Sequence, residues 1–321
     1  MRGRILCIFD GFTHENFVPP QLLKDYEAGF FAATPTGFMP ESMPCILHLL
    51  GLAANEIPQF ARGWLEALGD DIAVQADDLI VRASWVNTDA AGQIISMAQP
   101  QNAPKAPWYH AMGDYKALIC VPNAAAFVKT MQTFPPHRHM GEKIDACMPR
   151  GCAPLAALLR KCGSETVRLV PWGQSVACTL PHFCGDAVAV SAIPLVRGIA
   201  KAMGMHAVMP DGASGDTDTD IDAKVRMALH FARQGKFVLL HFNGADEAAH
   251  RKNAAEKAAF SHKLITKAAL PLLQSEIPVR ITADHGTSPH TGRHVEMPQP
   301  VWQNFASTGE KSMRAVTAAQ F

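Results

Sequence analysis

Short apolar runs punctuate the chain. Arg4–Phe9 and Phe237–Phe242 are nearly continuous in apolar residues, which predicts strands buried on both faces of a parallel sheet. Ala187–Ser191, His206–Met209 and Val279–Ala283 predict further strands. Between them, Thr219–Arg233 reads as a helix capped near Asp218 or Thr219, and Ala254–Gln274 as a long helix. A helix with Pro194 in its first turn follows Ser191. Ala153–Lys161 predicts a helix and Val167–Val170 a strand of the same alternation. Strand–helix–strand order with short connections predicts an α/β fold around a doubly wound, mostly parallel sheet.

The first half of the chain has a different texture. Thr34–Pro44 is loop-like, and Cys45–Leu50 predicts the start of a helix. After Pro58, the turn at Asp70-Asp71 precedes a strand at Leu79–Val86 and another turn at Asp89–Gly92. Tyr115–Val121 predicts a strand and Ala124–Met131 a helix, while 132–153, rich in Pro, His and Gly, reads as a linker. The division places an inserted α+β cap at 58–144 and a core at 1–57 and 145–321.

Composition narrows the class. The 321 residues are 48% hydrophobic and 18% charged, which excludes a disordered polymer. Lys plus Arg and Asp plus Glu both number 29, so the broad basic surface of a nucleic-acid binder is absent. No run reaches the ~18 apolar residues of a membrane span. The apolar run Ile5–Phe9 ends at Asp10-Gly11 with no small-residue cleavage site, which favours a core strand over a signal peptide. Several of the eight cysteines sit in apolar runs, as reduced thiols of a cytoplasmic protein do, and no CxxC pair points to a zinc ribbon. Oligomeric state leaves no signature.

The candidate chemistry follows the strands. Asp10 comes directly after the first, Asp246 and His250 after Phe237–Phe242, and Asp284 and His285 after Val279–Ala283, with His294 nine residues on. Open α/β sheets place ligand sites at these carboxyl ends. Taken singly, each residue fits a cap, a turn or a carbonyl partner. Three strand ends carrying Asp or Asp/His sets point instead to a metal centre. Carboxylate oxygens mixed with imidazole nitrogens suit Mn²⁺ or Zn²⁺, with Mg²⁺ also compatible. A P-loop, a GxGxxG turn and a GxSxG elbow are all missing. The alternating Asp216, Asp218, Asp220 and Asp222 mimic a calcium loop, but lack its central Gly and closing Glu and read better as a helix N-terminus. His137, Arg138 and His139 form a small cationic cluster in the linker.

Several stretches resemble the archaeal-type, cofactor-independent phosphoglycerate mutases of the alkaline phosphatase superfamily. The run GFMPESMPCILHLLG at 37–51 is similar to that family's nucleophile loop, and ARGWLEALG at 61–69 and LIVRASWVNTD at 79–89 to two cap segments. IPLVRGIAKAMGM at 193–205 and GASGDTD at 212–218 resemble core segments. DEAAH at 246–250, TADHGT at 282–287, and His294 with Pro298 and Pro300 resemble its metal motifs. The resemblance implies an alkaline phosphatase-like core and two divalent ions. It implies Asp10, Ser42, Asp284 and His285 at one ion, and Asp246, His250 and His294 at the other. Ser42 becomes the nucleophile, since a serine hydroxyl needs its pKa lowered to attack phosphorus. Arg62, Arg82 and Lys116 become cap cations for a small phosphorylated substrate.

The implied activity is interconversion of 3-phosphoglycerate and 2-phosphoglycerate through phosphoserine. The alternatives are a phosphatase or phosphotransferase on another phosphomonoester, or a non-catalytic metal-binding relative. Four positions depart from the pattern. Glu41 replaces a Gly before the nucleophile, Met43 an Asp after it, Lys116 an Arg and Asn243 a Lys. Glu41 adds negative charge beside the nucleophile, and Asn243 removes a positive one. The segments between 121 and 153 and beyond Pro300 are short for the family, so its last strand and helix are expected to be mostly missing.

Overall fold

Strands β1 (Arg4–Phe9) and β10 (Phe237–Phe242) have almost no polar face, and the two pair in parallel from Arg4↔Phe237 to Phe9↔Phe242. The computed structural model that shows this describes residues 3–13, 21–160 and 162–305. The chain divides into two compact units, Met1–Ile57 with Leu180–Phe321, and Pro58–Thr179.

The first unit is α/β. Its seven-stranded sheet runs β2 (Glu27–Phe31), β14 (Gln299–Gln303), β11 (Val279–Thr282), β1, β10, β8 (Ala187–Val190), β9 (His206–Val208). The five strands from β11 to β9 are parallel, and β14 and β2 add antiparallel neighbours. A strand therefore does form around Pro300, where the resemblance left little. Helix α5 (Ile221–Arg233) starts after Asp220, whose carboxylate accepts from the Ala223 amide at 2.8 Å. The cap is thus Asp220, one residue beyond the expected pair. Helix α7 (Ala254–Leu264) passes through a single π turn at Ile265–Ala269 into α8 (Leu270–Leu273), so the expected long helix is nearly continuous. The buried core joins Val238, Leu240 and Phe242 to Val225 and Ala228 of α5 and Phe260 and Leu264 of α7.

Helix α1 (Ser42–Leu49) begins at Ser42, upstream of the expected Cys45. Pro44 lies in its first turn, where a missing N–H costs nothing because those amides have no intrahelical acceptor.

The second unit is built on a five-stranded antiparallel sheet. Its order is β4 (Ile94–Met97), β3 (Leu79–Thr88), β6 (Lys116–Val121), β5 (Tyr109–Ala111), with β7 (Val167–Ser175) also paired to β3. One face of β3 presents Leu79, Val81, Ala83 and Trp85 to a core that includes Ile119 and Leu169. The Trp85 indole N–H donates to the Tyr109 hydroxyl at 2.9 Å.

The expected boundary at 57/58 coincides with the division, but the one at 144/145 does not: the second unit continues to Thr179. Residues 145–179 stay in it because β7 lies along β3 from Ile80↔Ser175 to Asn87↔Val167. The expected linker at 132–153 is closed on itself by the bridge Gln132↔Arg150 and tied into the same unit by the bridge Gln93↔Lys143 and by Ile144 and Cys147, which pack on Val86 and Ile94. The expected helix at Ala124–Met131 is only a 3₁₀ turn, Ala125–Lys129. No helix among the described residues is long and apolar enough to cross a membrane.

Candidate metal centre

Three adjacent parallel strands bring their carboxyl ends side by side. Ile8 is opposite His241 on one side and Thr282 on the other, so Asp10, Asp284 and the start of α6 (Gly244–His250) emerge together. Ser42 joins them from the first turn of α1. His285 Nε2 lies 3.2 Å from Ser42 Oγ, 3.4 Å from Asp10 Oδ1 and 3.5 Å from Asp284 Oδ2. All four residues are buried.

A second group adjoins the first. Asp246 and His250 stand one turn apart on α6, which puts their side chains on one face. His250 Nε2 is 3.2 Å from Asp246 Oδ2, and His294 Nε2 is 3.7 Å from Asp246 Oδ1. His294 sits on β13 (Arg293–Val295), which pairs with β12 (Gly286–Ser288) directly after His285. The hairpin stacks the His285 and His294 rings at 4.1 Å. The groups Asp10–Asp284–His285 and Asp246–His285–His294 each gather their donor atoms within 4.8 Å, and they share His285.

The donor chemistry fits cations. His250 Nδ1 meets the Gly292 carbonyl at 2.9 Å and His294 Nδ1 meets the Pro40 carbonyl at 2.7 Å. A carbonyl can only accept, so each Nδ1 carries the hydrogen and each neutral ring keeps its lone pair on Nε2. Those two Nε2 atoms face each other at 3.1 Å, beside a carboxylate. Both Asp284 oxygens are buried and make no well-formed hydrogen bond. Acceptors packed against acceptors repel unless positive charge lies between them.

The titration behaviour follows from the same crowding. Burial, reinforced by the Asp246 charge, pushes the Asp284 carboxyl up to about 7. Burial also acts to raise Asp246, but the His250 hydrogen bond and the surrounding imidazoles outweigh it and hold that carboxyl well below its usual range. Burial pulls His294 down to about 4, with His285 adding to the shift.

All seven expected ligand positions therefore come together. Three further residues support them. His241, wholly buried in β10, places Nε2 3.2 Å from Asp10 Oδ2, and burial followed by the Lys224 charge takes its pKa down to about 3, so the ring is neutral. Thr287 donates to Asp246, and buried Lys257 donates to Thr13 and to the Thr287 carbonyl. The only sequence signals for them were a His inside an apolar strand and a Thr two places after His285. The Asp216–Asp222 run holds no calcium loop geometry: Asp220 caps α5, Asp222 pairs with Lys267 at 2.7 Å, and Asp216 takes both Arg251 terminal nitrogens. Neither metal group contains a cysteine.

The three expected substrate cations lie in the second unit. Glu66 on α2 (Arg62–Gly69) takes Arg62 Nε at 3.2 Å and Arg82 Nε at 3.0 Å, and the Arg82 guanidinium lies 4.1 Å over the Trp172 ring. Lys116 begins β6 opposite Ser84, on the face of β3 that bears Arg82. His139 pairs with Glu142 and His137 packs on Trp172, so the cationic cluster is partly engaged within the unit. Burial acts to raise Glu66, but Arg82 and Arg62 outweigh it and hold the carboxyl below the usual range. A depressed carboxyl contributes stability above its unfolded value, near ~4.3, and loses it as pH falls through the folded value. Glu66→Gln should therefore cost about 1–3 kcal/mol at pH 7. In denaturant melts, the gap to the native chain should close as the pH drops below ~4. A gap that persists in acid would mean that the Glu66 charge is not its source.

Comparison with known proteins adds two family matches. Residues 180–315 match the Metalloenzyme superfamily model, and residues 25–106 match the model for 2,3-bisphosphoglycerate-independent phosphoglycerate mutase. The mutase of that name from Methanosarcina mazei is 24% identical over 318 residues, covering 85% of this chain and 79% of the relative. The one from Archaeoglobus fulgidus is 35% identical over 115 residues, a match spanning only 28% of the relative's length. Among solved structures, the PH0037 protein of Pyrococcus horikoshii has a TM-score of 0.69 at 21% identity, covering 94% of this chain and 87% of the other. The cofactor-independent phosphoglycerate mutase of Thermoplasma acidophilum has a TM-score of 0.54 at 16% identity, covering 99% and 95%. Both show the same fold.

Proposed function

We propose that this chain, whose segments match the Metalloenzyme superfamily and 2,3-bisphosphoglycerate-independent phosphoglycerate mutase models, moves a phosphoryl group on a small phosphomonoester through phosphoserine at Ser42. The observation that carries this reading is the convergence of Ser42 Oγ with Asp10, Asp284 and His285 at the ends of parallel strands. We assign one divalent ion, Mn²⁺ or Zn²⁺ with Mg²⁺ also compatible, to Asp10, Ser42, Asp284 and His285, and a second to Asp246, His250 and His294. Bound there, such ions supply Lewis-acid stabilisation of phosphate oxygens and lower the serine pKa.

The chain's own residues set the rest. Ser42 stands at the first position of α1, where the helix dipole favours an approaching phosphate. Its Oγ forms the new O–P bond as the bond from phosphorus to the substrate oxygen breaks. The phosphoryl group then passes to the neighbouring hydroxyl of retained glycerate, which makes the reaction 3-phosphoglycerate to 2-phosphoglycerate. Arg62, Arg82 and Lys116 are our candidates for holding the substrate carboxylate and phosphate, Arg in bidentate fashion and Lys as a point charge. Glu41 beside the nucleophile and Asn243 at the start of α6 lower the positive charge available to a phosphate. That favours keeping a second reading, hydrolysis of another phosphomonoester.

Purified protein supplied with Mn²⁺ and 3-phosphoglycerate separates the two. Isomer without free phosphate supports the mutase. Phosphate alone supports the hydrolase. Metal binding without turnover on a panel of phosphate esters would leave a non-catalytic relative.

A further inference from the structure

Thr287 is fully buried, and its polar atoms join several parts of the metal centre. Its amide donates to the Gly11 carbonyl at 3.1 Å, directly after Asp10. Its carbonyl accepts from Lys257 Nζ at 2.5 Å. Its hydroxyl donates to Asp246 Oδ1 at 2.5 Å and lies 3.4 Å from His285 Nδ1. The directions of these bonds are constrained. A carboxylate oxygen only accepts, so the single hydroxyl hydrogen points at Asp246. The lone pairs that remain face His285, which places the imidazole hydrogen on Nδ1. His285 Nε2 then keeps its lone pair, and Nε2 is the atom that faces Ser42, Asp10 and Asp284. One hydroxyl thus orients a carboxylate of one candidate metal group and an imidazole of the other.

We propose that Thr287 is a positioning residue that couples the two groups, so that loading one divalent ion favours loading the other. An ion on Asp246 pins that carboxylate, which pins the Thr287 hydroxyl and through it the His285 ring. The coupling is reciprocal, since either ion orders the same chain of bonds. Outer-shell partners of this kind commonly contribute ~10–100-fold in metal affinity. The inference rests on the two-ion reading above and adds a residue that is not itself a ligand.

The test is calorimetry with Mn²⁺ on metal-stripped protein, comparing the native chain with Thr287→Val and Thr287→Ser. Two ions should bind the native chain with positive cooperativity. Thr287→Val keeps the shape but loses the hydroxyl, and should weaken both ions by ~10–100-fold and abolish the cooperativity. Thr287→Ser keeps the hydroxyl and should restore most of both, which a purely packing role for the side chain would not produce. Absence of Mn²⁺ binding to the native chain would overturn the two-ion reading itself. Independent native sites, or an unchanged Thr287→Val, would overturn only the coupling. If Thr287→Val does not fold, nitrogen NMR of the metal-free native chain decides. Hydrogen on His285 Nδ1 supports the bond chain, and hydrogen on Nε2 overturns it.

Discussion

Ser42→Ala is expected to abolish turnover of any phosphomonoester the protein accepts, by a factor on the order of 10⁴ or more. Losses of that size follow when the attacking atom of a covalent mechanism is removed, because the remaining groups have no equivalent to act on. Ser42 is buried in the first turn of α1, and its Oγ lies 3.2 Å from His285 Nε2. Removing one hydroxyl from that position deletes little packing, so the variant should unfold close to the native chain. It should also still bind metal through the carboxylates and imidazoles. Steady-state kinetics with melting curves would check both halves. Substantial activity in Ser42→Ala would assign the attack to another group, water included.

Asp284→Asn is expected to have the second largest effect, through metal affinity. Its carboxylate is buried between Asp10 and His285 without a well-formed hydrogen bond. An amide of the same size cannot balance a cation there, so affinity should fall by more than the ~10–100-fold typical of outer-shell changes. The native chain should also bind metal more weakly in acid. Burial raises the Asp284 carboxyl to about 7, so below that pH a proton must leave before an ion can bind. Asp284→Asn removes that proton from the balance and should lessen the pH dependence around 7, leaving the share due to His250, whose pKa burial acts to lower but the Asp246 hydrogen bond and charge raise. Chelator competition between pH 6 and 8 would measure it. Bound metal stabilises the native state alone, by about 2.7 kcal/mol at one hundred times its Kd, so the same change should appear as a lost thermal shift. An Asp284→Asn variant with native affinity and native pH dependence would remove Asp284 from the ligand set.

The candidate metal ligands were legible in the sequence as a group because parallel strands leave a plain record. Arg4–Phe9 and Phe237–Phe242 are apolar but for Arg4 and His241, so the Asp and His residues at their ends stand out against the runs they follow. The helix spacing of Asp246 and His250 and the adjacency of Asp284 and His285 supply the remaining contrast. His241 was hidden for the same reason: inside an apolar run, a single His reads as part of the strand. The second unit was harder because its order comes from pairing between distant segments. Val167–Val170 reads locally as one more strand of the alternation, and only its antiparallel partner β3, some eighty residues earlier in sequence, assigns it elsewhere. The stretch 132–153 lacks periodicity, and it is held by isolated backbone bridges and by scattered apolar residues such as Ile144 and Cys147, which pack on Val86 and Ile94 without a regular spacing. The segment beyond Pro300 is short for the family, so the sequence alone predicts that its last strand is mostly missing. β14 nevertheless forms between β2 and β11, with Pro300 opposite Phe30 and a register shift one residue on.

The central claim is that a phosphoryl group passes through Ser42. It is tested most directly by incubating the protein with Mn²⁺ and 3-phosphoglycerate, quenching in acid, and mapping phosphate by peptide mass spectrometry. Phosphate on Ser42, present with the metal and absent after chelation, is the expected result. Full turnover under conditions that trap a covalent intermediate, with Ser42 unmodified, would contradict it.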